Sequence, residues 1–422
     1  MKGAITLATF RTTIVLGLRL LVQAGTLLIV ARLLGPHDYS TFAGITSLAM
    51  MLGTLSTFGT HIVLLAEVSR EPSSRSVILP FAMSTTLLCG GLLLGAYTLL
   101  ASFIPNGSGI STGIKLAIGV AELLLLPLIT LQCAEHQGLG RIATSQLLMT
   151  LPLVLRLVVA VTVWFAGIEL PLTCYAYGYL AASAIALLAA MFTLQDAWPS
   201  PANWRLPTNE ELKHAAGYAV LNITAAGPTE LDKTLAPRVL APITAGIYSA
   251  GARVIGAATL PVIAMMLAVM PKLFREAHTD IRLTWRFLAL LLGLALGYSI
   301  LLDAALWLAA PLFDWLFGPR YAGMHHAIRW LCLAVPGLCL RITLGTVLMS
   351  LKHPWLRASF EIAGLITLSI TALTLAPKFG MAGMASALAC SEWSMTIIGG
   401  AILVILVDRS RPHTRSSMSN SM

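Results

Sequence analysis

Residues 222–256 read NITAAGPTELDKTLAPRVLAPITAGIYSAGARVIG, and the fold prediction starts from this stretch. The pattern indicates the end of one apolar helix, a tight turn and the start of another apolar helix. Four charged residues lie inside this apolar sequence, namely Glu230, Asp232, Lys233 and Arg253. Charged side chains in such surroundings need partners or a hydrated cavity, so the stretch predicts a functional site as well as a turn.

An earlier stretch repeats this pattern. Residues 31–44 read ARLLGPHDYSTFAG, and aligning Pro36 with Pro242 also aligns Leu34 with Leu240. Internal repeats of this kind are common in membrane transporters, where they build two similar halves around a central site. The sequence therefore predicts two halves, each beginning with a helix pair joined by the same kind of turn.

The composition places these helices in a membrane. The 422 residues are 57% hydrophobic and only 11% charged, whereas soluble domains carry roughly 25% charged residues. The apolar runs are about 20 residues or longer and lack the two-residue alternation of a barrel strand. The predicted fold class is an all-α polytopic membrane protein.

Turn residues divide the chain into about twelve predicted membrane-spanning helices. These spans cover residues 12–34, 41–66, 77–104, 112–133, 143–167, 172–194, 214–239, 242–271, 284–312, 323–350, 356–376 and 380–407. With the N-terminus in the cytoplasm, cytoplasmic segments hold sixteen Lys and Arg residues and the opposite side holds five, the other six of the 27 lying within spans. The positive-inside rule therefore predicts that both termini are cytoplasmic.

The longest polar connections define the predicted domains. Residues 1–194 form an N-terminal lobe of six spans, and residues 214–407 form a C-terminal lobe of six more. Residues 195–213 connect the lobes as a cytoplasmic linker, and the polar residues 408–422 are expected to be a disordered cytoplasmic tail. Six spans per half give both halves the same orientation, so the pseudo-two-fold axis runs along the membrane normal.

Several function classes are excluded by the sequence. The net charge of +9 is spread between apolar runs rather than gathered in a patch, which argues against nucleic-acid binding. The six cysteines lack metal-ligand spacing, no phosphate-binding loop occurs, and no hydrolase motif is present. We therefore expect no metal, no cofactor, no catalytic residues and no enzyme activity.

Twelve charged residues fall within the predicted spans. Five of the basic residues are candidates for substrate binding in a cavity: Arg19, Arg156, Lys233, Arg253 and Arg341. Three of the acidic residues are candidates for ion coupling: Glu230, Asp232 and Glu392. Polar residues at helical spacing on spans one, five and seven predict a shared hydrated cavity. The alternative is that some of these charges only form ion pairs between helices, since acids and bases are equal in number.

Three stretches resemble one family, the polysaccharide-export and O-antigen flippases of the multidrug/oligosaccharidyl-lipid/polysaccharide (MOP) superfamily. They are VARLLGPHDYSTF at 30–42, the stretch 231–253 with its Asp232-Lys233 pair and GIYSAGAR, and LFGPRY at 316–321 followed later by PKFGMAG at 377–383. Each motif is short, but together they occur in the family's order and extend over most of the chain.

The resemblance implies two six-helix lobes arranged as a V, with spans one, two, seven and eight lining a cavity of alternating access. It implies a flippase that moves undecaprenyl-diphosphate-linked oligosaccharide, an O-antigen or exopolysaccharide repeat unit, across the bacterial inner membrane. Other membrane proteins of polysaccharide synthesis would be partners. Arginine recognises a diphosphate through paired, charge-assisted hydrogen bonds, so the candidate basic residues suit this substrate.

Three other functions fit the sequence less well than a flippase does. A cation-coupled multidrug antiporter of the same superfamily needs an aromatic and acidic pocket, and aromatic residues make up only 7% of the chain. A membrane polysaccharide polymerase or ligase is expected to carry a large periplasmic loop, whereas the predicted periplasmic connections are short. A lipid II flippase of the superfamily typically has two further spans, for which no apolar sequence follows residue 407.

Overall fold

A computed structural model describes residues 2–104, 110–193, 198–276, 281–351 and 353–409. Within these ranges the chain is helical and contains no β-strand. The helices are α1 (Lys2–Ser56), α2 (Thr60–Arg70), α3 (Arg75–Ala101), α4 (Thr112–Val120), α5 (Leu126–Gly138), α6 (Ile142–Ala166), α7 (Pro171–Met191), α8 (Asn209–Val239), α9 (Pro242–Ala258), α10 (Leu260–Glu276), α11 (Ile281–Phe317), α12 (Met324–Cys332), α13 (Val335–Ser350) and α14 (Pro354–Arg409). The all-α fold class is confirmed.

Two of these helices contain a sharp break. Helix α14 covers two predicted spans, whereas α1 covers the first span and only part of the second, 41–66, which is interrupted at residues 57–59 before α2 begins. The break in α1 lies at Gly35, whose φ of 70° and ψ of 166° are not helical, directly before Pro36. The break in α14 lies at Gly380, with φ 58° and ψ −133°, three residues after Pro377. Positive φ values favour glycine, and proline cannot donate the helical hydrogen bond, so these residues interrupt the helix where the sequence predicted turns.

Eight of the described helices are long and apolar enough to cross a membrane, and the pair α12 and α13, bent by 48°, would make a ninth. Helix α8 is absent from this group because its sequence contains Glu230, Asp232, Lys233 and other charges. The protein is a multi-pass membrane protein, while the number of twelve spans and the orientation stay predictions. The predicted tail, residues 408–422, lies almost entirely outside the described residues.

Helix α8 begins at a well-formed cap in the predicted linker. The side chain of Thr208 accepts a hydrogen bond from the backbone of Glu211, and the Glu211 carboxylate accepts one from the backbone of Thr208. Arg205 donates two hydrogen bonds to the same carboxylate, with nitrogen–oxygen distances of 2.9 and 2.6 Å. These bonds hold the pKa of Glu211 down at about 2, with the Arg205 side chain as the largest cause. The entry into the C-terminal half is therefore fixed by charge as well as by backbone geometry.

The two halves meet along α1, α8 and α9. The hydroxyl of Tyr321 donates to the backbone oxygen of Ala31 at 3.0 Å, which joins the loop after α11 to α1. Gly246 on α9 packs so closely on Pro36 that any side chain at position 246 would overlap the Pro36 carbonyl. The two repeat turns found in the sequence therefore pack directly against each other.

Candidate functional site

A cavity of about 860 Å³ lies between the two halves. Its wall is built from α1, α6 and α7 of the N-terminal half and from α8, α9, α10, α11, α13 and α14 of the C-terminal half. Ligand pockets for drug-sized molecules span roughly 300–1,000 Å³, so this cavity has room for a headgroup of that size. Nearly all the charged residues that the sequence singled out lie in this wall or directly behind it.

Arg156 on α6 is the charged residue of the N-terminal half in this wall. Its guanidinium lies 3.1 Å from the carboxylate of Glu122 and donates to the hydroxyl of Ser183 at 3.0 Å. It also stacks on the ring of Tyr179, 3.5 Å from the ring centre, while the Tyr179 hydroxyl donates to Glu122. A buried guanidinium with this many partners is held rigidly, and Arg156 remains part of the cavity lining.

Glu122 owes its position to an irregular turn. Residues Ala121–Leu125 form one π-helical turn between α4 and α5. Such turns insert an extra residue into a helix and often occur at functional sites, because they redirect a side chain. Here the turn brings the Glu122 carboxylate to Arg156, and this cluster lies behind the cavity wall of the N-terminal half.

The Asp232-Lys233 pair of α8 forms a second cluster. The Lys233 ammonium lies 2.9 Å from the Asp232 carboxylate and donates to the backbone oxygen of Thr229. The other carboxylate oxygen of Asp232 accepts from the hydroxyl of Tyr248 at 3.0 Å. Asp232 is 1% exposed and Lys233 6% exposed, and only Lys233 lines the cavity. Asp232 therefore lies behind Lys233 as seen from the cavity.

Arg253 on α9 joins the two halves. It donates to the hydroxyl of Ser47 on α1 at 3.0 Å, and it lies 3.8 Å from the carboxylate of Glu230 on α8. The distance to Glu230 is longer than in the other pairs of this cavity wall that involve Arg156 or Lys233. Of the three cavity bases Arg156, Lys233 and Arg253, Arg253 therefore has the longest ion pair with its carboxylate.

A larger network lies in the C-terminal half. Arg341 on α13 lies 2.6 Å from the carboxylate of Glu392 and 4.0 Å from that of Glu361, both on α14. Arg357 approaches the same Glu361 carboxylate at 3.0 Å. Glu392 is 0% exposed and Glu361 1% exposed, and each has one carboxylate oxygen without a hydrogen-bond partner. Two bases and two acids thus neutralise each other in the wall of this half.

The cavity surface is nevertheless cationic. Among the described residues that line it, five are basic and two are acidic: Arg156, Lys233, Arg253, Arg341 and Arg357 against Glu230 and Glu361. The carboxylates of Glu122, Asp232 and Glu392 lie behind the wall. Each of these bases is paired with an acid, which avoids the cost of isolated burial, and each also contributes to the cavity lining. The basic side chains of the wall are therefore available to an anion, and none of them is left without a carboxylate partner when the cavity is empty.

Most of the candidate residues come together here. Arg156, Lys233, Arg253, Arg341 and Glu230 line the cavity, and Asp232 and Glu392 each pair with one of its bases. Gln23 and Thr26 also line it, on the face of span one that the sequence predicted to be polar. Arg19 is half-buried and lies outside this lining, one helical turn before Gln23. No group of three His, Cys, Asp or Glu side chains suited to a metal occurs among the described residues.

Sequence reasoning missed several wall residues. Arg357, near a predicted span end, was not a candidate. Glu361 is one of the twelve charges within the predicted spans and was expected to be solvated near a span end, yet it is buried between two arginines. Aromatic residues from three helices also line the cavity: Tyr39, Phe42, Tyr175, Tyr179, Phe313 and Phe317. The low aromatic content of the whole chain concealed this concentration. The four-residue spacing of Tyr175 and Tyr179 was the available signal.

The sequence of this chain matches one family model over more than half of its length. The family model described as polysaccharide biosynthesis protein matches residues 8–276. The chain belongs to the polysaccharide biosynthesis protein family. This family agrees with the resemblance of the sequence motifs to polysaccharide-export flippases. A search of curated protein sequences found no match.

Solved structures with the same fold belong to the MOP superfamily. An inward-facing multidrug resistance MATE family transporter of that superfamily is 14% identical, with a TM-score of 0.75 over 93% of this chain and 96% of that chain. The lipid II flippase MurJ in an inward closed conformation is 11% identical, with a TM-score of 0.73 over 93% and 87%. A MOP superfamily transporter from Pyrococcus furiosus is 13% identical, with a TM-score of 0.66 over 94% of each chain. The polysaccharide biosynthesis protein described here therefore has the MOP transporter fold.

Proposed function

We propose that this protein is a flippase that moves undecaprenyl-diphosphate-linked oligosaccharide, an O-antigen or exopolysaccharide repeat unit, across the bacterial inner membrane. The observation that carries the proposal is the cationic wall of the cavity between the halves. A diphosphate is the chemical group that all such substrates share, and its charge is opposite to that of the wall. The family and the MOP fold, which MurJ shares, support a lipid-linked substrate.

The diphosphate would bind mainly to the bases whose ion pairs with protein carboxylates are long enough to be replaced. Arg253 is 3.8 Å from Glu230, so a phosphate oxygen can compete for its guanidinium without breaking a short ion pair. Lys233, Arg156 and Arg341 would add donors from three other helices, and Arg19 would act on the approach to the cavity. Charge-assisted hydrogen bonds from several helices would hold the headgroup while the halves change their orientation.

The acids in and behind the wall give the proposal a route for energy coupling. Binding of a diphosphate to Arg253 would leave Glu230 without its base, and an ion or proton would then compensate that carboxylate. Asp232 and Glu392 are the other candidates, because each pairs with a cavity base. Alternating access would follow from rocking of the two halves about the packed repeat turns.

A multidrug antiporter of the same superfamily is the second candidate, and one observation favours it. Six aromatic residues line the cavity and could stack on a flat drug. A cationic drug would, however, face five basic residues and two acidic ones. The charge of the wall therefore favours an anionic headgroup. A polymerase or ligase is the least supported alternative, since the cavity is a binding chamber of a transporter fold.

The test replaces the chromosomal gene with variants and extracts lipids. Loss of the gene should abolish surface polysaccharide and accumulate polyprenyl-diphosphate oligosaccharide whose glycan is reached by a lectin in inverted vesicles but not in spheroplasts. Lys233→Gln combined with Arg253→Gln should reduce export roughly tenfold or more, because each lost charge-assisted bond is worth about 1.5–3 kcal/mol. Membrane levels of each variant are measured by immunoblot.

Lys213→Gln is the matched control, since Lys213 is exposed on the same helix as Lys233. It should export normally. Normal export by the double variant at normal membrane levels would reject the diphosphate site. Absence of any lipid accumulation in the deletion strain, together with new sensitivity to cationic drugs, would favour the multidrug antiporter instead.

A further inference from the structure

A second, smaller cavity lies on the outside of the N-terminal half, between α1 and α6. Its volume is about 280 Å³. It is lined by Leu28, Ile29, Arg32, Val161, Trp164 and Phe165. Trp164 is 44% exposed and Phe165 84% exposed, as expected for side chains that face the hydrocarbon of a bilayer. We call this cavity the α1–α6 groove.

The α1–α6 groove adjoins the central cavity. Leu28 lines both of them, so at this point the wall between groove and cavity is one side chain thick. Gly25 and Leu27 of α1 line the central cavity. Because Gly25 has no side chain, α1 and α6 lie close together there, with Leu157 of α6 next to Gly25. The groove therefore runs beside the headgroup chamber and opens toward lipid.

The groove combines an apolar wall with one cation. Five of its six lining residues are apolar, and Arg32 is the sixth. The Arg32 guanidinium donates to the backbone oxygen of Trp315 at 3.3 Å, and its Nε is buried without a hydrogen-bond partner among the described residues. A volume below the 300–1,000 Å³ of ordinary ligand pockets suits a segment of hydrocarbon chain rather than a headgroup. The arginine adds a donor for a phosphate at the end of that chain.

Position along the membrane agrees with this chemistry. Arg32 lies three residues before the break in α1 at Gly35, which is the non-cytoplasmic end of span one in the predicted orientation. Tryptophan and arginine at that depth are typical of the interface where lipid phosphates lie. The groove therefore extends from the phosphate level of the outer leaflet into the hydrocarbon region.

We propose that the α1–α6 groove binds the first isoprenoid units of a polyprenyl diphosphate, with Arg32 at its phosphate end. The lipid tail would lie in the groove, beside the central cavity that holds the headgroup, with Leu28 between them. This inference rests on the proposed lipid-linked substrate and assigns the tail a path that the central cavity does not provide. Ordinary phospholipid is the competing occupant, because it also combines phosphate with hydrocarbon.

The test measures binding of undecaprenyl diphosphate, without a glycan, to the full-length protein in nanodiscs of phosphatidylethanolamine and phosphatidylglycerol. Native mass spectrometry reports the amount retained. Val161→Trp would fill the groove, and we expect about tenfold weaker retention, because each excluded methylene costs roughly a factor of four in affinity. Arg32→Gln should also weaken retention. The matched control is Val158→Trp on the same helix, which is exposed outside the groove and should bind like the unaltered protein.

Each outcome decides the proposal. Loss of retention in Val161→Trp and Arg32→Gln, but not in Val158→Trp, supports it. Equal retention by all variants overturns the groove and leaves the proposed function standing. Loss of phosphatidylglycerol alone from the groove variants assigns the groove to phospholipid and also overturns the proposal. If the unaltered protein retains no undecaprenyl diphosphate, the proposed function fails together with the groove.

Discussion

The guanidinium of Arg253 lies 3.0 Å from the hydroxyl of Ser47, and these two residues occupy corresponding positions in the two halves of the chain. The alignment of Pro36 with Pro242 is an offset of 206 residues, and Ser47 and Arg253 are also 206 residues apart. Residues related by a two-fold axis can contact each other only near that axis. In the predicted repeat, this contact would therefore lie near the pseudo-two-fold axis, with one cavity arginine beside it.

Removal of the Ser47 hydroxyl should loosen this contact. We expect Ser47→Ala to reduce export by about tenfold or more, because one hydrogen bond to a charged group is worth about 1.5–3 kcal/mol and here positions Arg253. The matched control is Ser56→Ala on the same helix, since the Ser56 hydroxyl is equally buried but has no hydrogen-bond partner among the described residues. Equal export by the two variants, measured as surface polysaccharide, would show that the contact has no role in transport.

The C-terminal network should depend on its central base. Arg341→Met would leave Glu392 and Glu361 buried near each other without that guanidinium, and we expect a loss of about 3–5 kcal/mol in stability. The measurement is the thermal unfolding midpoint of the purified protein in detergent. Adding Glu392→Gln to Arg341→Met should recover much of the loss, because it removes one uncompensated charge. An Arg341→Met protein as stable as the unaltered one would contradict the network.

The packing of the two repeat turns should tolerate no side chain at Gly246. Gly246→Ala places a methyl group against the Pro36 carbonyl, and we expect a loss of about 1–3 kcal/mol from overpacking. The control is Gly256→Ala on the same helix, where a methyl group meets nothing within 4 Å. That control should be neutral or stabilising, because alanine favours a helix over glycine by about 1 kcal/mol. Thermal unfolding of both variants would reveal the difference, and a stable Gly246→Ala protein would reject the close approach.

The Arg205–Glu211 pair at the start of α8 should make stability depend on pH. The pKa of Glu211 in the folded protein is about 2, below the ordinary value of roughly 4.3 in an unfolded chain. A depressed pKa contributes stability that is complete above the unfolded value and is lost as the pH falls toward the folded value. The unfolding midpoint of the unaltered protein should exceed that of Glu211→Gln above about pH 5.

That difference should shrink between about pH 4.3 and pH 2. High salt should reduce it as well, since the pair is partly exposed. The comparison with Glu211→Gln isolates this carboxyl from the other acids, which titrate in both proteins. A difference that stays constant from pH 6 down to pH 2.5 would show that the carboxylate is not stabilised by Arg205.

The sequence predicted the fold well because its signals are local. The break in α1 at Gly35 and Pro36, the turn before Pro242 and the break in α14 at Gly380 all lie where turn residues interrupted apolar runs. Glycine and proline affect the conformation of their own backbone and of the adjacent helical turn, so a break in a helix can be predicted from a few residues. The π-helical turn at Glu122 comes just before Pro127, which removes one helical hydrogen bond, but a proline alone does not specify a π-helical turn rather than a kink.

The site was predictable only as a set of residue types. Arg156, Lys233 and Arg253 were recognised as buried bases because they interrupt apolar runs, and the structure places all three in the cavity wall. Arg19 has the same sequence signature and lies outside that wall. One helical turn separates it from Gln23, which does line the cavity. Helical spacing predicts a face, but it does not predict how far along the helix a cavity extends.

By itself, the sequence determined that this protein is a membrane-spanning helical bundle with charges buried in its helices, and it predicted two related halves. Those properties follow from apolar run lengths, turn residues and a repeat, each of which acts within one helix or between adjacent ones. Only the tertiary structure decided which acid neutralises which base and which of them faces the cavity. Arg341 and Glu392 are 51 residues apart, and Ser47 and Arg253 are 206 apart. Such pairs are set by how helices pack across the molecule, because an ion pair forms only where folding brings its two groups within a few ångströms.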